Sequence, residues 1–277
     1  MLPTLFVSHG SPMFALEGGT TAPALRAFGA GLQAPGAQPL RGVVVMSPHW
    51  MAPEPAVTSS PAPRTWHDFG GFPEPLYRLQ YPAPGSPALA TQVLDLLQAA
   101  GLPAHADPQR PFDHGAWVPL MHLLPDASVP VVQVALPETA GPREVYAMGA
   151  ALAPLRQQGV LLVGSGSMTH NLRAFFSSRP PLDAAPEPYA WDFARWVETR
   201  LQEGPAGLEA LLDDRTPAGA GALGAQAHPT DEHFLPLFFA LGAAGWGQQA
   251  ARPTAAPHYL SREVMHGHLA MDAVVLA

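Results

Sequence analysis

Three of the twelve histidines in this 277-residue chain follow short apolar runs directly. His9 lies in Val7-Ser8-His9-Gly10-Ser11-Pro12-Met13, His49 in Met46-Ser47-Pro48-His49-Trp50, and His170 after Gly164-Ser165-Gly166-Ser167-Met168-Thr169. Neutral imidazole nitrogen suits iron, zinc, copper or nickel, whereas carboxylate and carbonyl oxygen alone suit magnesium or calcium. Histidine is also the side chain that exchanges protons most readily near neutral pH. Two more, His114 in Phe112-Asp113-His114-Gly115-Ala116-Trp117 and His233 in His228-Pro229-Thr230-Asp231-Glu232-His233-Phe234, sit in loop-rich segments able to reach the same place. The chain has no cysteine, which excludes disulfides, thiolate nucleophiles and sulfur-held metals; a metal here would be held by nitrogen and oxygen.

The apolar runs are what would position these histidines. Thr4 to Val7, Val43 to Met46, Val129 to Leu136 and Val160 to Val163 read as strands buried on both faces. Between them fall helical patterns: one after Ser86-Pro87, with Leu89, Val93, Leu96 and Leu97 on one stripe and Gly101 as its stop, a second from Pro142 to Gln158, and a third from Pro188 to Gln202 with Trp191, Phe193, Trp196, Val197 and Leu201 as apolar surface. Alternation of this kind predicts one α/β domain over residues 1–277, with a central mixed, largely parallel sheet flanked by helices. In open sheets the ligand site lies beyond the carboxyl ends of the strands, so histidines leaving three such ends can converge on one crevice.

A further helix is expected straight after Thr230, with Asp231 and Glu232 in its first turn. Consecutive helical residues point about 100° apart, so of Glu232 and His233 only His233, on the face of Leu237 and Ala240, would turn inward. Arg262 to Leu276 reads as an edge strand with His266 and His268 on its solvent side. His228 is expected to cap or solvate the helix, and His67, His105, His122 and His258 to be structural.

Composition narrows the partners. Fourteen basic against 22 acidic residues give a formal charge of −8, which would repel a phosphate backbone or an anionic bilayer. The apolar run Phe234 to Trp246 contains a proline and falls short of the roughly 20 residues that span a membrane, so it reads as a buried helix. Met1 to Val7 lacks the basic segment of a signal peptide, and a cytoplasmic location is expected.

Seven segments occur together in order: Ser8-His9-Gly10-Ser11-Pro12-Met13, Ser47-Pro48-His49-Trp50, His67-Asp68-Phe69-Gly70-Gly71-Phe72-Pro73, Tyr81-Pro82-Ala83-Pro84-Gly85-Ser86-Pro87, Asp113-His114-Gly115-Ala116-Trp117, Thr169-His170-Asn171-Leu172 and Glu232-His233-Phe234-Leu235-Pro236-Leu237. In this combination the chain resembles the class III extradiol ring-cleavage dioxygenases, in their DOPA-4,5-dioxygenase-like branch. The resemblance implies one non-heme ferrous ion per chain, with dioxygen as cosubstrate and a catechol as substrate. His9, His49 and His233 match the metal ligands, His170 an acid–base histidine and possible fourth ligand, and His114 a second acid–base histidine. The wider class has a glutamate as third ligand; three neutral ligands are expected to hold iron less firmly or to admit zinc. By the same resemblance His170 would take the catechol proton and His114 would supply one as the ring opens. The competing readings are a zinc hydrolase or amidase using a bound water as nucleophile, and a non-catalytic metal-binding protein that keeps the fold. Retention of both His114 and His170, which a purely structural metal would not require, favours catalysis.

Overall fold

In the computed structural model, which describes residues 1–216, 218–247 and 256–277, ten strands and ten α-helices follow in chain order. The strands are β1 (Thr4–Ser8), β2 (Gly42–Ala52), β3 (Ala56–Thr58), β4 (His105–Asp107), β5 (Val131–Pro137), β6 (Val160–Gly166), β7 (His258–Ser261), β8 (Val264–Met265), β9 (Leu269–Ala270) and β10 (Ala273–Leu276). The helices are α1 (Thr21–Leu32), α2 (Glu74–Tyr77), α3 (Pro87–Ala99), α4 (His114–Leu123), α5 (Pro142–Leu152), α6 (Leu172–Ser178), α7 (Pro188–Gln202), α8 (Pro205–Leu212), α9 (Ala222–Ala227) and α10 (Leu235–Ala244).

Eight strands form one mixed sheet in the order β4-β3-β5-β2-β6-β1-β10-β7. Its centre, β5-β2-β6-β1, is parallel throughout. Alternate residues of the central strands enter opposite cores, as a period of two demands. Phe6, Val44, Met46, Val134 and Leu162 pack under α3, α5, α7 and α10, while Leu5, Val7, Val43, Val45 and Val163 pack under α1 and α4. The expected α/β class with a largely parallel sheet is what the chain adopts. No helix among the described residues is long and apolar enough to cross a membrane, and α10 is buried over nearly its whole length.

Four expectations need correction. The second predicted helix ends at Leu152 and continues to Gln158 as a 3₁₀ turn, because Pro154 has no N–H to give the helical ladder. Trp191 stands 38% exposed on α7 rather than joining its buried face. The last helix begins at Leu235: a start at Thr230 would bury Pro236 in the helix interior, whereas its actual place in the first turn costs no hydrogen bond. The C-terminal stretch is not one edge strand. It folds back as the β8–β9 pair around His266 and Gly267, both at positive φ, and β10 then runs inside the sheet between β1 and β7. His268 is accordingly buried, between the Tyr189 and Ser178 hydroxyls.

Asp272, at the turn into β10, has a buried Oδ1 with no hydrogen-bond partner. Burial pushes its carboxyl up to about 7, partly offset by Arg262. A folded pKa above the unfolded value of about 3.9 means that folding favours the protonated form. The resulting penalty is absent below about pH 4, grows between there and pH 7, and is complete above it, at a few kcal/mol. Asp272→Asn is therefore expected to melt higher than the parent at pH 8, with the difference shrinking toward pH 5. A difference independent of pH in thermal melts would contradict this.

Candidate metal centre

The carboxyl ends of β2, β6 and β1 lie side by side; β1 and β2 each deliver a histidine there, and the segment after β6 supports a third. His9 follows β1, its N–H held by the Gly166 carbonyl at 2.9 Å, and Gly10 turns the chain away at φ 58°, a conformation that glycine adopts without strain. At the end of β2 the register against β5 jumps, with Ser47 opposite Ala135 but Met51 opposite Leu136. Residues 48–50 therefore bulge out of the ladder, as bulges next to functional sites do, and carry His49 over the sheet end. His233 arrives from the turn before α10. Its carbonyl accepts from the Ser167 N–H at 2.7 Å, and a Cβ on Gly166 would stand 2.2 Å from that carbonyl. The small-residue run after β6 is thus the floor on which the His233 segment rests.

These devices bring three ring nitrogens together. His49 Nε2 lies 3.0 Å from His9 Nε2 and 3.3 Å from His233 Nε2, and ligand atoms of all three lie within 4.8 Å of one another. Hydrogen bonds on the far side of two rings set which nitrogen carries the proton. The Ser165 hydroxyl donates to the Gly115 carbonyl, so toward His9 Nδ1, 3.0 Å away, its oxygen can only accept; His9 carries its proton on Nδ1. His233 Nδ1 faces Glu232 Oε1 at 3.1 Å, and an ionised carboxylate only accepts. Both rings therefore aim a bare Nε2 lone pair at His49. Burial above all, then repulsion from the neighbouring imidazoles, holds the pKa of His9 and His233 well below the ordinary histidine value. Burial and His114 together press His49 down to about 3.

Lone pairs converging without protons are a donor set for a cation. Two nitrogens bound at about 2.1 Å to one ion stand about 3.0 Å apart at a right angle and about 3.4 Å apart at a tetrahedral one, which brackets the separations found. The residues fit a first-row transition metal, with an outer hydrogen-bond partner on two of the three rings, as metal-binding histidines usually have.

Two further groups flank the centre. His114, first residue of α4, directs Nδ1 at both Asp68 oxygens, each 3.0 Å away, and its backbone N–H also donates to Asp68 at 2.9 Å. Burial alone would raise the Asp68 pKa, but the hydrogen bonds and charge of His114 bring it below the usual carboxylate value. Asp68 is thus ionised and fixes the His114 proton on Nδ1, leaving Nε2 free. On the other side, His170 stacks on His233 with ring centroids 3.5 Å apart, and its Nδ1 lies 3.8 Å from Glu232. Desolvation keeps His170 below its ordinary pKa, with Glu232 opposing. Its close donor group is His170, Glu232 and His233; it shares no such group with His9 or His49 among the described residues.

The segment around His114 is explained position by position. Asp113 caps α4 through the Ala116 N–H, Trp117 is core with its indole N–H on the Trp66 carbonyl, and Gly115 passes beneath the site. A Cβ on Gly115 would lie 2.2 Å from Ser47 Oγ, 2.9 Å from His49 Cδ2 and 3.2 Å from His9 Cε1. Helix propensity alone would make alanine better by about 1 kcal/mol, so a loss must come from crowding. Gly115→Ala is expected to weaken metal binding by about 10–100-fold, the cost of disturbing ligand orientation, in a protein that still melts cooperatively. Metal titration beside a thermal melt checks it, and unchanged affinity would contradict it.

Over the histidines opens a pocket of about 500 Å³ that reaches His49, His114, His170 and His233. Phe69, Phe72 and Pro73 from the loop before α2 form one wall. Sequence reasoning missed Asp68 and Ser165 as partners, since nothing in spacing pairs residue 68 with 114 or 165 with 9. It also set Glu232 aside on a helical premise that fails, because residues 232–234 form a turn and Glu232 stands beside His233 at the site. His228 neither caps α10 nor meets solvent; it is fully buried, stacked on Phe234. His266 lines the pocket instead of facing solvent from a strand. Arg173, just after His170-Asn171-Leu172, is exposed and in no ion pair among the described residues.

With a donor set of this kind at the strand ends of an α/β sheet, the comparisons with known proteins gain their meaning. Residues 3–265 match the family model described as the catalytic LigB subunit of aromatic ring-opening dioxygenase. The chain is 38% identical over 248 residues to the 4,5-DOPA dioxygenase extradiol of Beta vulgaris, covering 89% of this chain and 88% of that one. It is 39% identical over 244 residues to the protein of the same name from Escherichia coli K12, covering 87% and 85%. The crystal structure of an uncharacterized protein from Escherichia coli K12 superposes with a TM-score of 0.77 at 31% identity over the whole of both chains. This chain belongs to the aromatic ring-opening dioxygenase family, as its seven ordered motifs had suggested.

Proposed function

We propose that this protein is an extradiol dioxygenase that opens a catechol ring with O2 at one ferrous ion held by His9, His49 and His233. The observation that carries the reading is the pair of fixed tautomers on His9 and His233, which aim lone pairs at His49 beneath a pocket large enough for an aromatic ring. Bound ferrous iron would supply a redox-active centre between ring and dioxygen, a role closed to zinc, which has no accessible redox change.

The chain's own residues then handle protons and position. His170 is neutral at working pH, and with Nδ1 turned to Glu232 its Nε2 takes the proton that a catechol hydroxyl must lose. His114, its Nδ1–H held by Asp68, presents an open Nε2 that takes the proton of the second catechol hydroxyl and returns it as the ring opens. Phe69 and Phe72 exclude water from one side and stack a planar substrate. Replacing His170 by alanine is expected to slow turnover by about 10²–10⁴-fold with bound metal retained; equal loss of metal would make it a ligand.

The deciding experiment loads the apo-protein anaerobically with ferrous iron or zinc, adds a panel of catechols, and records oxygen uptake and a coloured ring-opened product. Uptake with iron and none with zinc is the expected result. Hydrolysis without oxygen would replace the reading with that of a zinc hydrolase.

A further inference from the structure

Helix α6 carries three large apolar side chains, Leu172, Phe175 and Phe176, yet none of its residues is buried. Leu172 is 40% and Phe176 60% exposed. What holds α6 in place is polar: Asn171 caps it through the Ala174 N–H at 3.0 Å and ties it to the Gln226 carbonyl at 2.7 Å. Its large apolar side chains line the same pocket as the histidines, together with Met13, Phe69 and Phe72. A volume of about 500 Å³ lies in the range of about 300–1,000 Å³ typical of drug-sized ligands, more than one six-membered ring requires.

Charge is nearly absent from this lining. Among the described residues that form it, no lysine or arginine occurs, and the single acidic side chain is Glu17 at the exposed rim. Arg173, adjacent on α6, is exposed and not part of the wall. An anionic substituent entering here would give up water without a guanidinium or ammonium partner, and would meet Glu17 as a like charge.

We propose that the pocket selects catechols whose ring substituent is an uncharged apolar chain or ring, bound between α6 and the Phe69–Phe72 wall, and disfavours those bearing a carboxylate. The proposal rests on the ring-cleavage reading above for its catechol end, while the apolar wall stands on its own geometry. Each methylene buried between these walls should raise kcat/KM about fourfold, and exchanging the terminal methyl for a carboxylate should cost at least about tenfold. Phe176→Arg, at an exposed position where folding is not at risk, supplies the missing cation.

The test measures oxygen uptake by the iron-loaded protein with 4-methyl-, 4-propyl- and 4-pentylcatechol, and with the 4-carboxyethyl and 4-aminoethyl compounds. The same ligands are titrated calorimetrically into the zinc-loaded protein, a readout that needs no turnover. Both should rise with chain length and place propyl above carboxyethyl and aminoethyl, and Phe176→Arg should narrow the propyl-to-carboxyethyl ratio about tenfold. A charged catechol preferred to the propyl compound, or a ratio indifferent to Phe176→Arg, would overturn the proposal. Binding in the expected order without oxygen uptake would sustain the pocket's selectivity and sink the reaction instead.

Discussion

His49→Ala is expected to leave the protein folded but without its metal after dialysis, and without oxygen uptake. Of the three proposed ligands, His49 is the one whose Nε2 lies 3.0 Å from His9 Nε2 and 3.3 Å from His233 Nε2, so its loss removes the nitrogen that both others approach. Disturbing a ligand's hydrogen-bond partner costs about 10–100-fold in metal affinity, and removing the ligand itself must cost more. Glu232→Gln supplies the graded comparison. The glutamine amide can accept from or donate to His233 Nδ1, so the tautomer is no longer fixed, and affinity should fall within the smaller range. Metal content by elemental analysis, beside thermal melts, separates these outcomes. Full metal retention by His49→Ala would remove it from the ligand set.

The second large effect belongs to the Asp68–His114 pair. His114→Ala should lower kcat by about 10²–10⁴-fold, the usual contribution of a positioned acid or base, while metal content stays at the parent level. Asp68→Asn should reproduce a large part of that loss although the His114 ring is intact. An amide can donate to Nδ1, which moves the imidazole proton to Nε2 and turns the pocket-facing nitrogen from acceptor to donor. Steady-state kinetics with a metal assay decide it. If Asp68→Asn kept the parental kcat, the carboxylate would serve only to bind the His114 backbone N–H and anchor the start of α4.

The two halves of the site differ in how far the sequence reveals them. β1, β2, β5 and β6 announce themselves because strands buried on both faces must be apolar without interruption, and the histidines that end three of these runs could be placed at one sheet edge. β3, β4 and β7 are three or four residues long, too short for a period to register. The C-terminal stretch misleads because His266 takes positive φ without being glycine, which no pattern of polarity foretells. Asp68 and Ser165 are invisible for another reason: their roles arise from contacts across 46 and 156 residues of chain that only the fold creates. Glu232 was legible as a residue but hidden by a wrong element boundary, which Pro236 could have corrected.

A single measurement bears on the whole account most directly: anomalous diffraction at the iron edge from crystals prepared anaerobically with ferrous iron. One peak per chain, within about 2.0–2.3 Å of a ring nitrogen of each of His9, His49 and His233, is the expected result. A peak held instead by His170 and Glu232, away from His9 and His49, would contradict it.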